Sequence, residues 1–284
     1  MTDETPSQVV ESRDGTLIAV YGSGTGSPLV LVHGATADHT AFRVVGPLLA
    51  TTFTVHAIDR RGRGWSGDTA PYSIEREFED VAAVADAIAS ESGAGVDVVG
   101  HSYGGRCALG ASLRTGAVRR VVSYEGAPAP PGVSYHPPGI EARLHALLDA
   151  GDADGALAAF LTEVVGMSAA ALAAYRADPI WHVRAAATGT ILRELQAEAD
   201  PVASVAALGA VRQRCSRSWA GIAWLSSARR PWLSTPASPT AGSSSSTAHG
   251  TPPTTRTPPN SSRPSRRSSD DGPSGSSAVG WRTR

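Results

Sequence analysis

Short uninterrupted apolar runs punctuate the first half of the chain, at residues 28–33, 53–58, 96–99 and 118–124. Runs of this length without polar alternation are what parallel strands covered on both faces require. Between them the apolar period changes to that of a helix. Phe78, Val81, Ala82, Val84, Ala85 and Ile88 follow Ser73, which reads as an N-cap. Further helices are predicted over 41–49 and from 104 to about 114. Residues 7–22 read as a β-hairpin turning at Asp14-Gly15. Strands alternating with helices predict an α/β fold, a mostly parallel sheet with helices on both faces.

The period shifts again after residue 136. Segments 140–150, 154–165, 169–176 and 181–197 all read as helix with no strand between them. Four successive helices inserted after a strand predict a helical lid over 137–200, set into a core of 1–136 that resumes at 201–211. From 212 to 284 the pattern collapses into Ser, Pro, Thr and Arg, with neither strand nor periodic helix, which reads as a disordered tail. Four of the six tryptophans nevertheless fall there (Trp219, Trp224, Trp232 and Trp281), and such tails are normally poor in aromatics.

Charge sharpens this division. The formal net charge is −1, yet the 11 arginines and 2 aspartates from Arg212 onward give that segment +9 and leave −10 on the rest. The totals predict neither a nucleic-acid nor a membrane partner, and no apolar run approaches the roughly 20 residues of a membrane span. The N-terminus is acidic and polar, unlike a secretory signal, so the expected location is cytoplasmic. Two cysteines, Cys107 and Cys215, make no disulfide framework, and Cys107 reads as core. Lysine is absent and asparagine occurs once, at Asn260, which points to a very GC-rich gene.

The chemistry concentrates at Gly100-His101-Ser102-Tyr103-Gly104-Gly105, directly after the run at 96–99. A G-x-S-x-G turn between strand and helix lifts a serine hydroxyl to the top of a sheet, within reach of a substrate carbonyl. Ser102 is therefore the expected nucleophile. His33-Gly34-Ala35 ends an earlier strand and opens a turn. The backbone N–H groups of Ala35 and Tyr103 are the expected oxyanion donors, with His33 and Gly34 beside the substrate pocket. The loop from Asp59 to Asp68 (DRRGRGWSGD) reads mainly as support for the oxyanion loop. Trp65 within it is a pocket candidate, with ordinary packing an equal alternative. No metal or organic cofactor is expected, and the partner is a small acyl compound.

The motifs HGAT, DRRGRGWSGD and GHSYGG, in this order, resemble the α/β-hydrolase family, especially its small bacterial lidded esterase-like members, over about residues 8–211. The resemblance implies an α/β-hydrolase fold, an acyl-enzyme mechanism, and a nucleophile, acid and histidine in that chain order. Ser102 matches the nucleophile, and Ala35 and Tyr103 match the oxyanion donors. The acid and histidine have no matching position. Glu125, after the run at 118–124, is a candidate acid because some relatives place theirs there. His101, His136, His145, His182 and His249 are not placed to act as base.

A shifted reading frame accounts for the gap. Read with the third base of each codon joined to the first two of the next, the segment from Arg214 can give a strand ending in G-G-D, a helix, a strand I-V-V-I, and a turn G-A-R-H. That is the missing last third of the fold, in order. Trp219 followed by Ala220 gives glycine in this frame with no freedom of choice. The acid would then be encoded across Gly221 and Ile222, and the base across Gly250 and Thr251. The chain is thus expected to lack its last strands and to be impaired as a hydrolase. The alternatives are a non-catalytic damaged hydrolase or a binding protein with a basic disordered tail.

Overall fold

Residues 5–126, 128, 136–198, 200–211 and 214–218 are described by the computed structural model, all within one unit, Met1–Ser234. Strand β1 (Gln8–Glu11) pairs antiparallel with β2 (Leu17–Ser23), as the hairpin reading requires. The apolar runs become β3 (Ser27–Val32), β4 (Phe53–Ile58), β5 (Val96–His101) and β6 (Val118–Tyr124). With β7 (Arg214–Ser218) they form a seven-stranded sheet in the order β1-β2-β4-β3-β5-β6-β7, parallel from β4 onward.

That order fixes where a site can form. The chain leaves β3 for β4 on one side and later returns to β5 on the other. The connections after β3 and β5 therefore run apart, leaving a crevice at the carboxyl ends of those strands.

Helix α2 (Ile74–Ser92) begins where Ser73 accepts a hydrogen bond from the Arg76 N–H and ends at Gly93 in the left-handed conformation. Its apolar stripe, including Phe78, Val81, Val84 and Ile88, is buried with Val30, Val32, Val98 and Val121 of the sheet. Each large side chain so buried contributes about 1.5–3 kcal/mol. The ring of Phe78 lies over Gly110 of helix α3 (Tyr103–Ala111), where a Cβ would enter the ring, so that glycine sets how closely α2 and α3 pack. The opposite face is covered around Leu29, Leu31, Val55 and Ala57 by Phe42 and Leu49.

Three sequence expectations change. The helix expected over 41–49 is a 3-10 turn (His39–Phe42) followed by α1 (Val45–Leu49), because Pro47 has no N–H to give the carbonyl of residue 43. The helix expected over 181–197 divides into α7 (Ile180–Ala186) and α8 (Ile191–Glu198). Gly189 weakens the helix between them, and the Thr188 and Thr190 hydroxyls donate to the Ala185 and Ala187 carbonyls at 2.7 and 2.8 Å. The remaining helices, α4 (Ile140–Asp149), α5 (Ala153–Ala159, continued by a π-helical turn over Phe160–Val164) and α6 (Ala169–Arg176), fall over the expected spans. With α7 and α8 they enclose their own apolar cluster around Leu144, Leu157, Trp181 and Leu195.

The third change is β7. No strand is expected after residue 211, yet Arg214–Ser218 pairs in parallel with Arg120–Tyr124. A parallel edge ladder is made by backbone groups alone, so a segment with no apolar run can form it once β6 offers an open edge. The short α9 (Val205–Leu208) leads toward it. The expected disordered, out-of-frame tail beyond Ser218 lies outside the described residues.

Candidate active site

Ser102 stands between β5 and α3 with φ 51° and ψ −122°, a conformation that costs a non-glycine residue about 1–3 kcal/mol. Two backbone bonds hold it there. The Ser102 N–H donates to the Tyr124 carbonyl at 2.8 Å, and the Gly105 N–H donates to the Ser102 carbonyl at 2.9 Å. The turn is possible only without side chains around it. A Cβ on Gly100 would meet the Gly104 carbonyl, and one on Gly104 would meet the carbonyls of His33 and Val32. Ser102 itself is half-buried, so its side chain stays within reach of solvent.

Among the described residues three non-glycine residues have positive φ: Thr36 (57°), Ser102 and Glu125 (56°). They lie just past the carboxyl ends of β3, β5 and β6, so backbone strain gathers at the crevice that the strand order opens. The Gly34 backbone lies directly against Ser102, for a Cβ there would stand 3.0 Å from Ser102 Cβ.

The peptide joining Gly34 to Ala35 is held by its oxygen. The Arg60 N–H donates to His33 Nε2 at 3.0 Å, which puts the ring proton on Nδ1, 2.8 Å from the Gly34 carbonyl. Arg60 Nη1 donates to the same carbonyl at 3.2 Å. In a trans peptide the N–H opposes the C=O, so anchoring the Gly34 oxygen also sets the direction of the Ala35 N–H. The Tyr103 N–H is the first backbone donor of α3, at the end where the helix dipole favours an anion. His33 is fully buried, and burial together with the Arg60 charge keeps it neutral, well below its ordinary pKa. It is sealed beneath the Gly34 peptide, with both ring nitrogens engaged and no surface exposed, and so does not line the pocket as expected.

Arg60 is the hub of a buried polar network. Its Nε and Nη2 hold both oxygens of Glu77 on α2, at 2.9 and 2.6 Å. Nη2 also reaches Glu194 Oε1 on α8 at 2.6 Å, and Arg63 donates to that same oxygen at 2.6 Å. The guanidinium lies 4.6 Å from the centre of the Tyr103 ring. The Tyr72 hydroxyl donates to Glu77 at 3.0 Å, which leaves Tyr103 as donor in the 2.8 Å bond between the two phenols. Arg106 of α3 pairs with Glu198 of α8 at 2.8 Å. Within the DRRGRGWSGD loop, Arg60 is thus tied to the Gly34 turn, to α2 and to α8. The partners Glu77 and Glu194 carry no signal in sequence.

Asp59 accepts from the His39 backbone and ring, the Tyr21 hydroxyl and the Trp65 N–H at 2.8–3.0 Å. Burial pushes its carboxyl up, but the bonds from His39 and Trp65 outweigh this and hold it at about 2. Its contribution, about 2 kcal/mol, is therefore complete above the unfolded value near 4 and is lost as pH falls toward 2. Urea unfolding at pH 6, 4 and 3 should show the difference between the parent and Asp59→Asn shrinking across that window. A constant difference would contradict it.

The other candidates fall as follows. Glu125 Oε2 is 3.7 Å from His101 Nε2, both beside the elbow. Trp65 is 47 % exposed. His145 pairs with Asp149, His136 lies 3.7 Å from Glu141, and His182 is exposed. Among the described residues no histidine bonds the Ser102 hydroxyl. His249 and the codons of Gly221, Ile222, Gly250 and Thr251 lie outside the described residues. Among the described residues no three His, Cys, Asp or Glu side chains cluster as metal ligands, and no helix is long and apolar enough to cross a membrane.

Comparison with known proteins agrees with this geometry. The model of the alpha/beta hydrolase family matches residues 29–267, past the residue 211 at which the motif resemblance ends. The crystal structure of an alpha/beta hydrolase from Sphaerobacter thermophilus DSM 20745 is 34 % identical with a TM-score of 0.64, over 77 % of this chain and 85 % of that one. An enol-lactonase from Burkholderia xenovorans LB400 shares the fold at 18 % identity and a TM-score of 0.57, over 74 % and 80 %. The probable oxidoreductase EphD of Mycobacterium tuberculosis H37Rv is 35 % identical over 131 residues, 44 % of this chain. That match spans only 22 % of the curated relative's own length. With the elbow, the strand order and these matches together, the chain belongs to the alpha/beta hydrolase family.

Proposed function

We propose that the site is that of a serine hydrolase acting on a small ester or related acyl compound. Ser102 Oγ attacks the carbonyl carbon, its proton passes to a base, and the Ala35 and Tyr103 N–H groups receive the developing oxyanion. The bond to the leaving oxygen breaks with that oxygen protonated, and water then releases the acid from Ser102. The strained φ of Ser102, with Gly34 pressed against it at the switch point of the sheet, is the observation that carries the reading. Helices α4–α8 serve as the lid, since Ala35 packs against their apolar cluster. Glu125 is the candidate acid among the described residues. The family's remaining acid and histidine are encoded out of frame beyond Arg214, so turnover by this chain is slow.

An alkyl fluorophosphonate tests the nucleophile directly, because its phosphonyl oxygen takes the oxyanion position as fluoride leaves. The parent chain should be labelled on Ser102, with slow hydrolysis of p-nitrophenyl acetate, and Ser102→Ala should lose both. Equal labelling of parent and variant would refute the assignment.

A further inference from the structure

We infer that Glu194, remote from the elbow in sequence and carried on α8, is a positioning residue for both oxyanion donors. The inference rests on the serine-hydrolase reading for its chemical meaning, but not for its geometry. Arg60 touches the first donor peptide and the side chain of the residue that bears the second donor. It hydrogen-bonds the Gly34 carbonyl, whose peptide bears the Ala35 N–H, and its guanidinium lies over the ring of Tyr103, whose own N–H is the second donor. Something must hold that guanidinium in place, because it is 1 % exposed and no water replaces a lost partner there. Glu77 holds it from α2, within the core. Glu194 holds it from the helical segment, through one oxygen shared with Arg63.

The arrangement has a direction. Arg193 pairs with Asp68 at 2.7 Å and lies over the Tyr72 ring, and Glu198 pairs with Arg106 of the elbow helix. Residues 193, 194 and 198 thus bind α8 to the loop that carries Arg60 and to the helix that follows Ser102, while Ile191 and Leu195 face the apolar cluster of the segment. Displacement of α8 would withdraw Glu194 from Arg60 and loosen the guanidinium that holds the Gly34 carbonyl and lies over the Tyr103 ring. The helical segment and the oxyanion hole are coupled through this carboxylate.

Glu194 also dictates its own control. Only Oε1 is used, and Oε2 has no hydrogen-bond partner among the described residues. Glutamine keeps the acceptor that matters, so Glu194→Gln should preserve the geometry that Glu194→Ala destroys. The measurement is residue-resolved amide hydrogen exchange of the full chain at Ala35 and Tyr103. It reads peptide mobility whether or not Ser102 reacts. Glu194→Ala should speed exchange at both amides by about tenfold, with Val81 and Val84 of α2 unchanged. Glu194→Gln should stay within about twofold of the parent. Val55→Ala, a truncation in the separate apolar cluster around Leu29 and Leu31, should leave Ala35 and Tyr103 as in the parent. If Glu194→Ala does not fold, Glu194→Asp, one methylene shorter, should show the same acceleration. Unchanged exchange in the folded alanine or aspartate variant, or equal acceleration by Val55→Ala, overturns the positioning role. Fluorophosphonate labelling run alongside separates the two ideas. Exchange that responds in a chain whose Ser102 is never labelled removes the hydrolase reading and keeps the coupling. Labelling with unresponsive exchange does the reverse.

Discussion

A chain carrying the shifted-frame sequence from Arg214 onward should hydrolyse p-nitrophenyl acetate about 10,000-fold faster than the chain as it stands. The magnitude follows from what each version holds. Elbow and donor loop are present in both, and an oxyanion hole with substrate binding alone leaves only weak residual catalysis. The large missing factor is the base, together with the acid that orients it, since a serine hydroxyl at neutral pH attacks poorly until its proton has somewhere to go. The restored segment supplies a histidine in G-A-R-H and an aspartate in G-G-D, in the chain order that the family uses. The measurement is kcat/KM for both chains, with Ser102→Ala placed in the restored one. The variant should drop the rate to that of the present chain or below it. A restored chain that folds but is no faster would mean that the tail is genuine and that the basic segment serves some other end.

Gly104→Ala should cost more than about 3 kcal/mol and abolish labelling of Ser102. The added methyl would land on the carbonyl oxygens of His33 and Val32, where β3 ends. Neither oxygen can retreat cheaply. Val32 is part of a strand paired with β5, and the peptide after His33 leads directly into the anchored Gly34 carbonyl. Relief would have to come from moving α3 away from β3, which shifts Ser102 and the Tyr103 donor together. The control is Gly116→Ala, a change of the same chemistry at a position with nothing within 4 Å of the new atom. It should remain within about 0.5 kcal/mol of the parent. Denaturant midpoints at constant slope give both numbers, and a similar cost at the two positions would show that steric closure of the elbow is not what the glycine provides.

The elbow, on which both experiments bear, is legible in the order of the residues themselves. The Gly100 to Gly105 motif places a serine on a strained turn because the steric rule concerns neighbours a few residues apart, and the folded chain has that turn, with φ 51° at Ser102. The apolar runs name their strands correctly for the same reason, since burial on both faces leaves no polar alternation. Where local pattern misled, a competing local effect or a long-range one had taken over. Pro47 shortened α1, the Thr-Gly-Thr stretch divided α7 from α8, and β7 formed from backbone pairing that needs no apolar side chains.

The amino-acid sequence alone therefore determined the α/β alternation and the glycine-flanked turn that carries Ser102, because each is written in residues adjacent along the chain. Tertiary structure alone decided that His33 is sealed beneath the loop and that Arg60 meets Glu77, 17 residues away, and Glu194, 134 residues away. A buried guanidinium must find carboxylates, but which ones it finds depends on the helices brought across it, and no local period encodes that.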